Sequence, residues 1–369
     1  MDINNEDAVY NVAITMLPGL GGVGVRSLVH TAGSARAVFE NVDMLSANGN
    51  INPRTADTIR NSKAIDMARQ QLEICARHNI NIHYFEDLTY PRKLAAGDGA
   101  PALLYSLGKI NYDACHTVGI VGTRSCDGDG RTNIFDLVGQ LKQNNINVVI
   151  ISGLASGADT YAHQAALKYE VPTVGVLGHG LNMVYPAENR KLAGDIVYSG
   201  GALITEYYYG QPVSKTNFPR RNRIIAGLCD AIVVAQSKSS GGALITANVA
   251  QELRKEVFAF PGRISDKLYA GCNQLISENK ATLITSGADL TRHMGWSSRL
   301  MPLQTEMNLE PLSESEVRIL DILHAEGMAN IDTLSIKTGI PVFQISSILL
   351  DMEFKDLVAG LPGRRYEAR

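Results

Sequence analysis

The chain has 369 residues, 45% of them hydrophobic and 19% charged, with 34 Lys and Arg against 37 Asp and Glu for a formal net charge of −3. That length suits two or three domains with sizeable cores, and the mild acidity excludes a global basic field that would draw nucleic acid to the whole surface. Five cysteines without CxxC spacing, Cys75, Cys115, Cys126, Cys229 and Cys272, point to free thiols in a reducing compartment; with no apolar leader at the acidic start and no run near the ~20 apolar residues of a membrane span, a cytoplasmic protein that does not use the membrane is expected.

Residues 1–75 read as a small helical domain, with apolar positions at helical spacing and breaks at Pro18-Gly19, Gly21-Gly22, Gly33 and Asn48-Gly49. The piece Leu17-Pro18-Gly19-Leu20-Gly21 is similar to the turn of a helix-hairpin-helix, and the domain to the SAM or helix-hairpin-helix type. Residues 1–60 hold four arginines, no lysine and six acids, which favours packing or protein contact over DNA contact.

From 80 to 295 the pattern changes. Ile80–Tyr84 and the stretch at 101–105 are extended. Apolar runs then alternate with helical segments: Val118–Gly122, Val148–Ile151, Thr173–Leu177, Ala202–Thr205, Ala231–Val234, Val257–Phe260 and Thr282–Ile284. Such runs demand a mostly parallel sheet covered on both faces, in a Rossmann-like α/β core. Residues 296–310 read as a linker. Over 311–369, a capping-box start at Ser313–Glu316, helices at 331–338 and 342–354 and a hairpin at 358–366 spell a winged helix. Its second-to-last element, Val342–Phe354, holds no Lys or Arg, and the segment has nine acids against six bases. Phosphate contacts dominate DNA affinity, so a protein-interaction or structural role is favoured there.

Several loops fall at the C-terminal ends of predicted strands, where open parallel sheets bind ligands. The first strand breaks at Gly122-Thr123-Arg124, a strand-to-helix turn whose exposed N–H groups and arginine suit an anion. After the second strand comes Ser152-Gly153-Leu154-Ala155-Ser156-Gly157-Ala158-Asp159, with Ser156 as the expected N-cap and Asp159 its N3 partner; His163 lies one turn on. Asp159 and His163 read better as capping and packing than as a catalytic or metal pair. Ser239–Gly242 offers glycine N–H groups at a further helix start.

The sharpest signal is Lys215–Gly227. Between Gln211 and Gly227 there are four cations, Lys215, Arg220, Arg221 and Arg223, no acid, and one ring, Phe218. Cations that follow a phosphate backbone and a ring that stacks on a base are the minimal kit for single-stranded nucleic acid. Because Ile224, Ile225 and Ala226 need one helix face for the sheet, not every cation faces the groove.

Taken together, Gly122-Thr123-Arg124, Ser152–Ala155 with Gly157, Asp159 and His163, Tyr185-Pro186, Phe218-Pro219-Arg220-Arg221-Asn222-Arg223-Ile224-Ile225-Ala226-Gly227, Ala243–Ala247 and Pro261-Gly262 resemble the DNA-processing protein A family (DprA, also called Smf). The resemblance runs in order across 80–290. It implies a non-catalytic protein that binds incoming single-stranded DNA, forms a homodimer, and loads the RecA recombinase onto strands covered by single-strand binding protein during natural transformation, without a cofactor. The expected strand-binding set is Gly122, Thr123, Arg124, Ser152, Gly153, Lys215, Phe218, Arg221, Asn222, Arg223, Gly241 and Gly242. The alternative is a Rossmann-like enzyme or sensor for a nucleotide or nucleotide-sugar, but no P-loop and no dinucleotide fingerprint is present.

Overall fold

The computed structural model describes residues 6–95, 97, 99–109, 115–296, 313–354, 357–361 and 365–368. The chain divides into two units, Met1–Arg299 and Leu300–Arg369. Beyond Trp296, the expected linker at 296–310 lies outside the described residues.

Among the described residues six helices open the first unit: α1 (Glu6–Thr15), α2 (Gly22–Ala32), α3 (Ala35–Glu40), α4 (Val42–Ala47), α5 (Pro53–Asn61) and α6 (Ala64–Arg77). Local chemistry sets their ends. Ser34 and Asn52 cap α3 and α5 through their side chains, Pro53 occupies the first position of α5, and Gly33 closes α2 at φ 89°. Val12, Ile14, Val25, Val29, Val38 and Leu72 meet in one cluster with Ile82, Tyr84, Leu103 and Tyr105 of the neighbouring strands, so the helices cover one end of the sheet. The glycine turn before α2 is docked: a Cβ on Gly22 would lie 2.6 Å from the Ala100 carbonyl oxygen. Arg26 of α2 lies over Phe85 and Tyr90 and donates to the Pro101 carbonyl at 3.2 Å. This face of the hairpin is used for packing.

Among the described residues the sheet has nine strands: β1 (Asn81–Tyr84), β2 (Leu103–Gly108), β3 (His116–Gly122), β4 (Val148–Ser152), β5 (Thr173–Val176), β6 (Ala202–Thr205), β7 (Ala231–Gln236), β8 (Glu256–Ala259) and β9 (Thr282–Leu283). Their order is β1-β2-β6-β5-β4-β3-β7-β8-β9. From β6 to β9 all pairs are parallel, while β1 and β2 add an antiparallel edge beyond β6. The helices between them are α7 (Arg92–Ala95), α8 (Gly128–Gln143), α9 (Ala158–Lys168), α10 (Arg190–Tyr198), α11 (Asn217–Leu228), α12 (Gly242–Glu252) and α13 (Ala270–Ser277), and α14 (Gly287–His293) follows β9. Every residue of β4, β5, β6 and β7 is buried, as the continuous apolar runs require of strands covered on both faces. From β3 the chain runs outward to β4, β5 and β6, then returns to lay β7 on the other side of β3. The loops after β3 and β7 therefore diverge to opposite sides, which opens a crevice at their C-terminal ends.

One capping expectation is corrected. The N-cap of α9 is Gly157 at φ 78°, without a side-chain cap bond, and Ser156 is exposed. A Cβ on Gly157 would sit 2.4 Å from the Thr123 carbonyl oxygen, so only glycine lets this turn pass beneath the β3 loop. Asp159 turns back to accept from Ala155 N–H at 3.3 Å.

The second unit holds α15 (Glu314–Glu326), β10 (Ala329–Asn330), α16 (Ile331–Thr338), α17 (Val342–Phe354), β11 (Val358–Leu361) and β12 (Arg365–Ala368). Ser313 and Glu316 form the expected capping box on α15. The three strands pair antiparallel in the order β10-β12-β11. Ile319, Leu323, Leu334, Ile345, Leu349, Met352 and Val358 form its separate core. Among the described residues no single helix is long and apolar enough to cross a membrane.

Candidate nucleic-acid interface

At the β3/β7 switch point the structure opens a cleft of about 570 Å³. Its first wall is the β3 loop. The β3/β7 register shifts between Val121 and Gly122, and Gly122 has no room for a side chain: a Cβ there would meet that of Ala158 at 2.5 Å. Thr123 then donates its N–H to the Gln236 carbonyl at 2.7 Å and accepts from Ala158 N–H at 3.2 Å. With both backbone groups fixed, Arg124 is left exposed at the rim. Its guanidinium lies 5.5 Å from the centre of the Phe218 ring, a cation–π contact.

The second wall is the start of α11. Phe218 and Pro219 stand in its first turn, where proline's missing N–H costs no helical bond. The Phe218 ring packs over Gly178, where a Cβ would lie 3.1 Å from it, and against Tyr185 at 5.7 Å between centroids, tilted 40°. Lys215, just before the helix, is exposed into the cleft, and Asn222 joins the lining. The third wall is the loop after β7, with Lys238, Ser240, Gly241 and Gly242. Gly241 caps α12 without a side-chain bond, so the first N–H groups of that helix are available to an anion.

Beneath these walls lie two buried groups of opposite charge, each hydrogen-bonded to other partners. Arg221 is 4% exposed and Asp159 8%. Arg221 Nη1 donates to the carbonyls of Gly153 and Val176, and Nε donates to Asn222 Oδ1 at 3.1 Å. Burial lowers the pKa of Arg221 while the Asp159 charge pulls it back, and burial raises that of Asp159 while Arg221 opposes the rise. Arg221 is the clamp: its hydrogen bonds to the Gly153 and Val176 carbonyls tie β5 and the loop holding Leu154, at φ 57°, to α11. Both groups are buried, so the accessible cleft carries Arg124, Lys215 and Lys238 without an exposed lining acid.

The structure thus gathers Gly122, Thr123, Arg124, Lys215, Phe218, Arg221, Asn222, Gly241 and Gly242 around one cleft, with Arg221 as its buried support. Three expected residues lie elsewhere. Ser152 is fully buried and its hydroxyl donates to the Ile120 carbonyl at 2.6 Å. Gly153 lies under Arg221, where a Cβ would come 2.1 Å from the guanidinium. Arg223 faces away from the cleft, donating to Glu206 and the Gly99 carbonyl. The reason is helical phase: Ile224 and Ile225 are buried on the sheet, which turns successive cations to different sides of α11. Lys238 escapes sequence reasoning, and Tyr185 enters it as a motif residue but not as part of the binding set. Lys238 stands alone before a glycine loop, and Tyr185 reaches Phe218 from a loop more than 30 residues earlier. His163 is buried, with Nδ1 on the Thr173 hydroxyl at 2.8 Å.

With this geometry in hand, comparison with known proteins is informative. Residues 81–295 match the family DNA recombination-mediator protein A, and residues 304–364 match the DprA winged helix domain. The DNA processing protein DprA of Streptococcus pneumoniae is 41% identical over 204 residues, spanning 55% of this chain and 71% of that protein. Protein Smf of Synechocystis is 32% identical over 318 residues, 77% of this chain and 79% of that protein. Among solved structures, DNA processing protein A from Streptococcus pneumoniae aligns with a TM-score of 0.62 at 33% identity, over 77% of this chain and 97% of that one. A structure describing the single-stranded DNA binding mode of DNA processing protein A from Helicobacter pylori aligns with a TM-score of 0.52 at 25% identity, over 59% of this chain and 97% of that one.

Proposed function

The chain belongs to the DNA recombination-mediator protein A family, and from that premise we propose that its β3/β7 cleft binds single-stranded DNA. The observation that carries the reading is the ring of Phe218 set among Arg124, Lys215 and Lys238. Three cations lining one cleft with an aromatic ring suit a strand whose phosphates run past while a base stacks. The relative from Helicobacter pylori, described as a single-strand binder, supports the same assignment. The bound strand is handed to RecA, with displacement of single-strand binding protein, by a homodimer acting in the cytoplasm; the protein is a binder and loader and not an enzyme.

The test is fluorescence titration of an oligo-dT of about 20–40 nucleotides across a salt series, beside matched duplex and a nucleotide panel. Three phosphate contacts give a log-log slope near −2 for a single strand. The variant Arg124→Ala/Lys215→Ala is expected to weaken binding and flatten that slope by about 1.4, and Phe218→Ala to cost about 1–3 kcal/mol with the slope unchanged. Weak strand binding that ignores all three substitutions, with tight binding of a nucleotide, would instead assign the cleft to a small phosphate ligand. Loading is read separately, as RecA ATPase activity on strands pre-covered with single-strand binding protein.

A further inference from the structure

Outside the cleft, the paired surface of α8 and α9 carries a row of rings and cations. Arg131 lies over Phe135 at 5.3 Å and over Tyr161 at 5.6 Å, and Lys168 lies over Phe135 at 5.4 Å and Tyr169 at 5.1 Å. Both cations are exposed and the three rings half-buried. The row begins at the cleft. The Arg124 carbonyl group would lie 2.6 Å from a Cβ on Gly157, and the Gly157 carbonyl accepts from Tyr161 N–H at 3.0 Å, which places Tyr161 one turn below the rim. At the far end Tyr169 lies flat over Gly139, with ring atoms 3.0–3.3 Å from where its Cβ would be, and Lys142 Nζ donates to the Glu170 carbonyl at 3.2 Å.

Helical phase makes this a positive face. At about 100° per residue, Arg131, Phe135 and Lys142 fall within about 40° of one another on α8, while Asp129 and Asp136 fall about 140–160° from Arg131 and about 100–120° from Phe135. On α9, Tyr161 and Lys168 fall within about 20°, and Asp159 points to the buried side. Asp127, at the head of α8, is held as its N-cap by Gly130 N–H. Among the described residues none of Arg131, Lys142 and Lys168 is in an ion pair, so their charges are not spent within the fold. Glu170 closes the row. Covering apolar surface with cation stems would explain one such contact, but four alternating contacts in line with the cleft go further.

We propose that this row is a second segment of the nucleic-acid path, along which a single strand leaving the cleft continues down α8 and α9, its bases stacking on the rings or on their guanidinium and ammonium covers. The proposal rests on the reading of the cleft as a single-strand site. A flat positive row with alternating rings holds a flexible strand without reading its sequence.

The test uses the full chain, with oligo-dT of about 6 nucleotides, enough for the cleft, and of about 20. The variant Arg131→Ala/Lys168→Ala is expected to bind the short oligomer like the parent. For the long one it should lose roughly ten- to thirtyfold near 0.1 M salt, with a log-log slope flatter by about 1.4, because two phosphate contacts are removed. Full retention of long-oligomer affinity and slope would overturn the path. A parent that binds neither oligomer would overturn the cleft reading and this one with it. An independent readout is photocrosslinking of a long oligomer carrying iododeoxyuridine: adducts at Tyr161 and Tyr169 support the path, and adducts confined to Phe218 and Tyr185 count against it.

Discussion

His163 shows how a single side chain couples the core to solvent conditions. It is fully buried on α9, with Nδ1 on Thr173 and Nε2 without a partner, and burial, reinforced by the Arg221 charge, lowers its pKa from 6.5 to about 3. The unfolded chain takes up a proton below pH 6.5 that the native chain refuses. Stability from the neutral ring is therefore complete above pH 6.5 and is lost as pH falls toward 3, at about 1.4 kcal/mol per pH unit. His83 and His179 are also shifted down by burial, so the measurement is a difference between chains. In urea unfolding at pH 7.5 and pH 5, the parent is expected to lose about 2 kcal/mol more than His163→Gln; equal losses would assign the acid sensitivity elsewhere. The same burial fits the reading of Asp159 and His163 as packing residues: one accepts from the Ala155 N–H and the other hydrogen-bonds inside the sheet layer.

Among the elements, the turn into α9 is the most constrained. Gly157→Ala would force an L side chain at φ 78° against the Thr123 carbonyl oxygen at 2.4 Å. The conformational part alone costs about 1–2 kcal/mol, and relief of the clash must push the loop that carries Arg124. Both a lower Tm and weaker oligo-dT binding are expected, whereas Gly128→Ala, with open space around its Cβ, should leave both near the parent; intact binding in Gly157→Ala would mean that the two loops move independently. Much of this architecture is legible in the sequence. Strands buried on both faces must be apolar throughout, so the runs from Val118 to Phe260 declare themselves, and glycines at their ends mark the rim. Rotation is what stays hidden. The Arg220-Arg221-Asn222-Arg223 string looks like one basic patch until the burial of Ile224 and Ile225 fixes the phase of α11, sending Arg221 into the interior and Arg223 to Glu206. Ser156 misleads in a related way, because its capping chemistry is overruled by the close approach of two backbones that only Gly157 allows.

At the scale of the whole molecule, the two units have separate cores: that around Ile319, Leu334 and Ile345 shares no residue with the sheet's clusters. The smaller core buries few large side chains, so it is the weaker cooperative unit. Calorimetry of the full chain is expected to resolve two transitions, the earlier one abolished or shifted by Leu349→Ala, a buried-leucine truncation of about 2–5 kcal/mol, with oligo-dT binding surviving that first transition; a single transition would show the units to be coupled. The pairing of β3 with β7 also bears on when the protein becomes competent during synthesis. Gly122 and Arg124 emerge from the ribosome more than 100 residues before Lys238 and Gly242, and the strand that seats the second pair must insert beside one already flanked by β4. Such non-local pairing is slow relative to helix formation, so a nascent chain ending anywhere before about residue 240 carries half a cleft, and the complete cleft arrives late and all at once.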